Sequence, residues 1–284
     1  RLPRAPSQLM RQFVRQSRYM TILTALLTLS IHGFPPPDTT TPQQPLVAAF
    51  AAGAFESGPV WWSSVPRFVL YEDGTILYRS EPRGNPPAFD VVHLSRSATS
   101  SLLDSLQLEP DFFRLKSDYD NVPGVTDLGI FTLWAWNGRV GKFVSLTGTL
   151  DSTITSPRVD PQVFHAQTPP GFIERFVRLT TYSHPDSKPW KPEVFELVLW
   201  GAGSADSVMQ WPPGWPALDG PGVYEDWKGD YHVPLTPAQV SEYFACCGGR
   251  DSHRVFSRAG KKWAVALRPV LPGDSNWTLP QEPQ

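Results

Sequence analysis

The chain has 284 residues, a mean hydropathy of −0.26 and a formal charge of −2, with 40% hydrophobic and 12% aromatic residues. That composition excludes a disordered polymer and suits one large domain or two small ones with a real core. Five arginines and no acid fall within residues 1–18; the rest carries 20 basic and 27 acidic residues, a net of −7, which excludes nucleic-acid binding by charge alone.

Those arginines (Arg1, Arg4, Arg11, Arg15, Arg18) stand just before an apolar stretch, Tyr19 to Phe34. A basic segment followed by an apolar core is the layout of a secretory signal, and the core is short against the ~20 apolar residues of a spanning helix. Residues 1–34 are therefore expected to be a signal or N-terminal anchor segment, able to touch a membrane transiently, with the body secreted or in the cell envelope. A start at Met20 would remove the basic segment and make the protein cytoplasmic. Residues 35–60 are expected to be a linker, because Pro35, Pro36, Pro37, Pro42 and Pro45 remove backbone donors and the alanines of 48–54 carry no periodicity.

Order is expected from Trp61-Trp62. Arg67 to Tyr78 predicts a tight hairpin turning at Asp73-Gly74, since Asp-Gly between β-branched and aromatic residues supplies a turn that needs positive φ. A strand over 89–94 leads to Ser95, an N-cap, and a helix of about a dozen residues whose stripe is Leu102, Leu103 and Leu106. An acidic loop, Asp118 to Asp127, precedes a second hairpin from Ile130 to Leu146 that turns at Asn137-Gly138. Residues 148–170 read as loop, and a helix is predicted from Thr168 with Pro169 and Pro170 in its first turn. In the second half, strands are predicted at 194–200, 231–233 and 261–270. Thr236-Pro237-Ala238-Gln239 forms a helix start with Thr as N-cap and Gln reaching back. The tail from Leu271 reads as loose.

The two halves repeat one plan. Val92-His93-Leu94-Ser95 aligns with Val233-Pro234-Leu235-Thr236, and a hairpin follows the helix in each. The expected fold is α+β, with two related halves, each an antiparallel sheet with a packed helix. The expected organisation is 1–34 leader, 35–60 Pro/Ala-rich linker, 61–185 first half, 186–272 second half and 273–284 tail.

The stretch Val65-Pro66-Arg67-Phe68-Val69-Leu70-Tyr71-Glu72-Asp73-Gly74-Thr75-Ile76 resembles a family of uncharacterised exported bacterial proteins of actinobacterial type. Tyr119 through Asp127, with its Gly-Val-Thr-Asp segment, and Leu267-Arg268-Pro269-Val270-Leu271-Pro272 are similar to that family as well. The resemblance spans about 65–272 and implies export and a repeated hairpin–helix–hairpin fold of unknown activity. Many members of a broader group with this plan carry a cysteine pair before the first strand, which this chain lacks.

Chemistry-bearing residues are scattered. Asp118, Asp120 and Asp127 could converge on calcium, a hard cation that takes six to eight oxygens, but a capped turn explains them equally well. His93 and His232 precede the two helices at nearly matching positions and read as structural. Cys246 and Cys247 read as small apolar residues at a helix end. No Gly-x-Ser-x-Gly elbow and no phosphate-cradling glycine loop occurs, and no cofactor is expected. Eleven tryptophans remain. Trp200, Trp211 and Trp215, together with Tyr119, are the candidate ligand contacts, because rigid rings give area at low entropy cost. The expected function is a non-enzymatic binding or envelope-associated module for a glycan, peptide or protein ligand, built on Trp/Pro-rich loops. The alternative is an envelope hydrolase with a site near Asp118–Asp127.

Overall fold

A computed structural model of the chain describes residues 44–52, 65–80, 88–108, 110–123, 128–150, 166–202, 208–226, 229–247, 254–258 and 260–273. The leader 1–34, Trp61-Trp62 and the end of the tail lie outside these residues.

An eight-stranded sheet collects β1 (Pro45–Ala52), β2 (Phe68–Tyr71), β3 (Thr75–Arg79), β4 (Phe89–His93), β5 (Asp118–Asp120), β6 (Gly129–Trp136), β7 (Gly141–Gly148) and β8 (Lys188–Trp190), in the order β5-β7-β6-β1-β2-β3-β4-β8. A six-stranded sheet collects β9 (Phe195–Gly201), β10 (Met209–Gln210), β11 (Tyr224–Glu225), β12 (Tyr231–Leu235), β13 (Arg254–Arg258) and β14 (Lys261–Pro269), in the order β10-β13-β14-β9-β12-β11. Three α-helices lie wholly among the described residues: α1 (Arg96–Leu106), α2 (Phe172–Thr180) and α3 (Pro237–Cys247). The fold is mixed α+β.

Four expectations about strands, sheets and their boundaries are corrected. The linker of 35–60 contains β1, which pairs with β2 on one side and β6 on the other. A strand buried on both faces reads as a continuous apolar run rather than an alternation, and Leu46-Val47-Ala48-Ala49-Phe50 is such a run. The sheets are not purely antiparallel, because β5 pairs with β7 and β10 with β13 in parallel. The boundary at 185/186 cuts across the first sheet, since β8 adds to β4. Leu271 is not loose: it is 2% exposed, in one cluster with Val65, Val69 and Phe89.

Both predicted hairpins form, with Gly74 and Gly138 at φ +84°. Asp73 closes the first turn by accepting from the Thr75 amide and hydroxyl, each at 2.9 Å. Ser95 caps α1 by accepting from the Ala98 amide at 3.2 Å. Thr236 and Gln239 cap α3 reciprocally, the Thr236 amide donating to Gln239 Oε1 at 2.9 Å and the Gln239 amide to Thr236 Oγ1 at 3.4 Å. The helix predicted from Thr168 begins instead at Phe172, because Gly171 takes a left-handed conformation (φ +66°) that separates Pro169 and Pro170 from it.

Alternation sorts each strand between two faces. One face of the first sheet (Phe68, Leu70, Ile76, Leu133, Val144) packs with Leu106 of α1 and Phe172, Phe176 and Leu179 of α2. Arg175 of α2 then donates to the Leu106 and Gln107 carbonyls at 2.6 and 2.9 Å, closing the C-terminus of α1 with a cation. In the second sheet Leu197, Leu199, Val233, Phe256 and Val265 pack with Val240 and Tyr243, three apart on α3.

Candidate functional site: an arginine and hydroxyl cleft

The open end of the β2–β3 hairpin carries the site. The Asp73-Gly74 turn fixes the register Phe68↔Tyr78, which puts Arg67 across from Arg79; the Arg79 amide donates to the Arg67 carbonyl at 2.9 Å. Over this end lies the C-terminus of α2. Tyr182 clamps it there, meeting Phe68 edge-on at 5.3 Å and Tyr78 at 5.2 Å. The His184 amide reinforces the clamp by donating to the Tyr78 hydroxyl at 3.3 Å. Between the two elements opens a cleft of about 210 Å³ lined by Arg67, Arg79, Ser80, Thr180, Thr181 and Tyr182.

The polar groups of the cleft divide into two kinds. A guanidinium has five N–H donors and no acceptor. Arg79 spends Nη2 on the Val65 carbonyl at 2.8 Å, which holds the side chain in place, and both arginines make further interactions within the protein. The threonines are committed the other way. Thr180 Oγ1 donates to the Phe176 carbonyl at 2.9 Å and Thr181 Oγ1 to the Val177 carbonyl at 2.7 Å. Each hydroxyl has one proton, so what these two keep is lone pairs. Burial, then the neighbouring Tyr78, raises the Tyr182 hydroxyl above its ordinary pKa and keeps it protonated.

No family model matches the chain, no curated protein matches it, and no solved structure matches its fold. The site therefore rests on its own geometry.

The residues singled out from sequence lie elsewhere. Trp211 and Trp215 are 7% and 4% exposed and form a T-shaped pair at 5.3 Å inside the second core, against Phe256 and Tyr243. Their indole N–H groups are used internally, on the Pro216 carbonyl at 3.2 Å and Glu242 Oε2 at 2.9 Å. Trp200 is 6% exposed, packed with Val255 and Ala264 on the opposite face of the same sheet. These rings fill core rather than form a platform, because Pro212, Pro213 and Pro216 fold the loop back over the sheet. Tyr119 packs against the first core, and its hydroxyl accepts from the Lys116 amide at 3.1 Å.

Asp118 and Asp120 lie on β5. Asp120 Oδ1 accepts from the Val122 amide at 2.9 Å, the side-chain-to-backbone turn that competes with metal binding for this pattern. Asp127 lies outside the described residues, among which no group of three or more His, Cys, Asp or Glu is placed to hold a metal. Cys246 Sγ is 3.4 Å from the Tyr243 carbonyl and packs on the second core.

A second polar cluster escaped the sequence reading. Glu196, His232 and Arg268 come from the three adjacent strands β9, β12 and β14. His232 Nδ1 is 3.2 Å from Glu196 Oε1, Nε2 is 3.8 Å from Asp226 Oδ2, Arg268 pairs with Glu196, and Tyr224 stacks on the imidazole at 4.4 Å. Burial pushes the Glu196 carboxyl up, but the His232 hydrogen bond and the Arg268 charge outweigh it and leave the pKa below the ordinary carboxylate value. Every ring nitrogen and the carboxylate face a partner, which suits a strand clamp better than a catalyst. The signal was parity for residues 196, 232 and 268 on one sheet face, and for 67 and 79 their opposed places at the open end of a hairpin.

Proposed function

We propose that this chain is a non-enzymatic binding module of the cell envelope, and that it holds the anionic group of a small ligand in the cleft between the β2–β3 hairpin and α2. The observation that carries this is that two arginines at directly opposed positions of neighbouring strands, Arg67 and Arg79, line the same cleft. An arginine beside a cleft can give an anion charge-assisted hydrogen bonds, stronger than neutral ones. The Arg79 anchor on Val65 and the Tyr182 clamp hold the donors ready, which lowers the ordering cost of binding.

The tryptophans then serve the module by fixing its loops rather than by touching the ligand. Export is supported by the five arginines ahead of the apolar stretch 19–34, and the resemblance to exported actinobacterial-type proteins points the same way. The reading as two related halves is supported by the matching passages β4–Ser95–α1 and β12–Thr236–α3, each followed by a hairpin, β6–β7 and β13–β14.

Isothermal titration of the whole chain with acetate, inorganic phosphate and sulfate tests the anion site. Binding should weaken with salt, and Arg67→Met or Arg79→Met should weaken it about tenfold or more, since a charged hydrogen bond contributes ~1.5–3 kcal/mol. Equal affinity in wild type and both variants would remove the cleft from consideration.

A further inference from the structure

One edge of the second sheet meets the rest of it at a histidine. β11 has two residues, Tyr224 and Glu225, and lies at the end of the sheet, paired with His232 and Tyr231 of β12. So short a strand brings little ladder of its own, and Tyr224 is 53% exposed. Two side-chain contacts tie this edge to His232. The Tyr224 ring stacks on the imidazole at 4.4 Å, within 5° of parallel, and Asp226 Oδ2 lies 3.8 Å from Nε2. The turn aims that carboxylate: Asp226 Oδ1 accepts from the Asp230 amide at 3.0 Å, and the Asp226 amide donates to the Asp230 carbonyl at 2.9 Å.

The other side of the ring is held from within the sheet. Nδ1 is 3.2 Å from Glu196 Oε1 on β9, and Arg268 of β14 pairs with the same carboxylate. The groups that face the imidazole are thus Glu196, with Arg268 behind it, and Tyr224 and Asp226 from the edge. The Glu196 carboxylate keeps one ring proton on Nδ1. A neutral imidazole has no second N–H, so Nε2 then turns a lone pair towards Asp226; an imidazolium turns a donor towards it. The stack responds to the same proton, because a cation over the face of a tyrosine is attracted by the ring quadrupole. Both contacts of the edge with His232 therefore strengthen when the ring is charged.

We propose that β11 and the turn after it form a proton-dependent latch, closed while His232 is protonated and opening locally as pH rises and the proton leaves. The sign follows from the contacts: a proton favoured by the closed edge stabilises that edge, and its loss favours the open one. Opening is confined to the edge, because β9, β12 and β14 keep their pairing to one another and Nδ1 keeps Glu196 in either state.

Amide hydrogen exchange of the whole chain, followed by NMR from pH 5.5 to 8 and corrected for the intrinsic rate at each pH, tests the latch. Protection of the Asp226 amide should fall about three- to tenfold over that range, between the worth of an exposed ion pair and that of a charge-assisted hydrogen bond. The amides of Leu197 and Leu199 in β9 should stay equally protected, in wild type and in each variant, which also confirms that the variants are folded. His232→Gln, neutral at every pH, should make Asp226 protection independent of pH. Asp226→Asn keeps the acceptor for the Asp230 amide and should leave only the smaller fall that the stack supplies. The full wild-type fall persisting in either variant would overturn the latch, as would wild-type protection that is flat or rises with pH.

Discussion

Two glycines with the same backbone angle make different demands on the chain. Gly74 and Gly138 both sit at φ +84°, in hairpin turns that were legible from Asp-Gly and Asn-Gly in the sequence. A Cβ on Gly138 meets nothing within 4 Å, whereas one on Gly74 falls 2.5 Å from the Leu94 carbonyl oxygen and 3.0 Å from Thr99 Oγ1. Gly138→Ala should therefore lose only the ~1–2 kcal/mol of a left-handed residue. Gly74→Ala should lose that and a further ~1–3 kcal/mol of overpacking. Urea unfolding separates them, and equal losses would mean the approach of Leu94 to the turn is not constrained. That approach was not visible in sequence, because it is made by the residue entering a different element, β4 into α1. The same holds at the cleft, where Arg67 and Arg79 are unremarkable until the turn sets them opposite each other.

At the scale of elements, the side-chain-capped starts of α1 and α3 were the most legible parts, because caps are local: Ser95 and Thr236 act within three residues of themselves, whereas the start of α2, set by Gly171, was misplaced to Thr168. β1 was the least legible. Its alanines have low strand propensity, and its place in the centre of a sheet depends on partners twenty and more than eighty residues away. Three strands of the second sheet are further joined by Glu196, His232 and Arg268, and that clamp has a pH signature. The Glu196 carboxyl has a lowered pKa in the folded protein, so its contribution is complete above the unfolded value of 4.5 and is lost as pH falls through the lower folded value. Unfolding of wild type and Glu196→Gln at several pH values should show a difference that is constant above pH ~5.5 and shrinks below ~4.5. Glu196→Ala, which takes the carboxylate away from both Arg268 and His232, should cost about 3–5 kcal/mol at neutral pH. A difference that grows as the solution is acidified would contradict the clamp.

Across the whole molecule, α+β character was readable from composition and punctuation, while the division into two sheets was not readable at its boundaries. β8 follows the expected boundary yet completes the first sheet, and Leu271 follows the last strand of the second sheet yet is buried with Val65, Val69 and Phe89 of the first. Burial of Leu271, just past the last strand of one sheet, in the other sheet's core couples their stabilities. Leu271→Ala should cost about 2–5 kcal/mol, and wild type should melt in a single calorimetric transition. A second, separate transition in wild type would show that the sheets fold independently. Both sheets end on very short strands: β5 and β8 have three residues each, β10 and β11 two each. Such stubs give a neighbouring molecule almost no backbone ladder to extend, whereas the long apolar runs of β1, β9 and β14 lie inside, paired on both sides. Among the described residues the sheets thereby offer a poor template for amyloid growth.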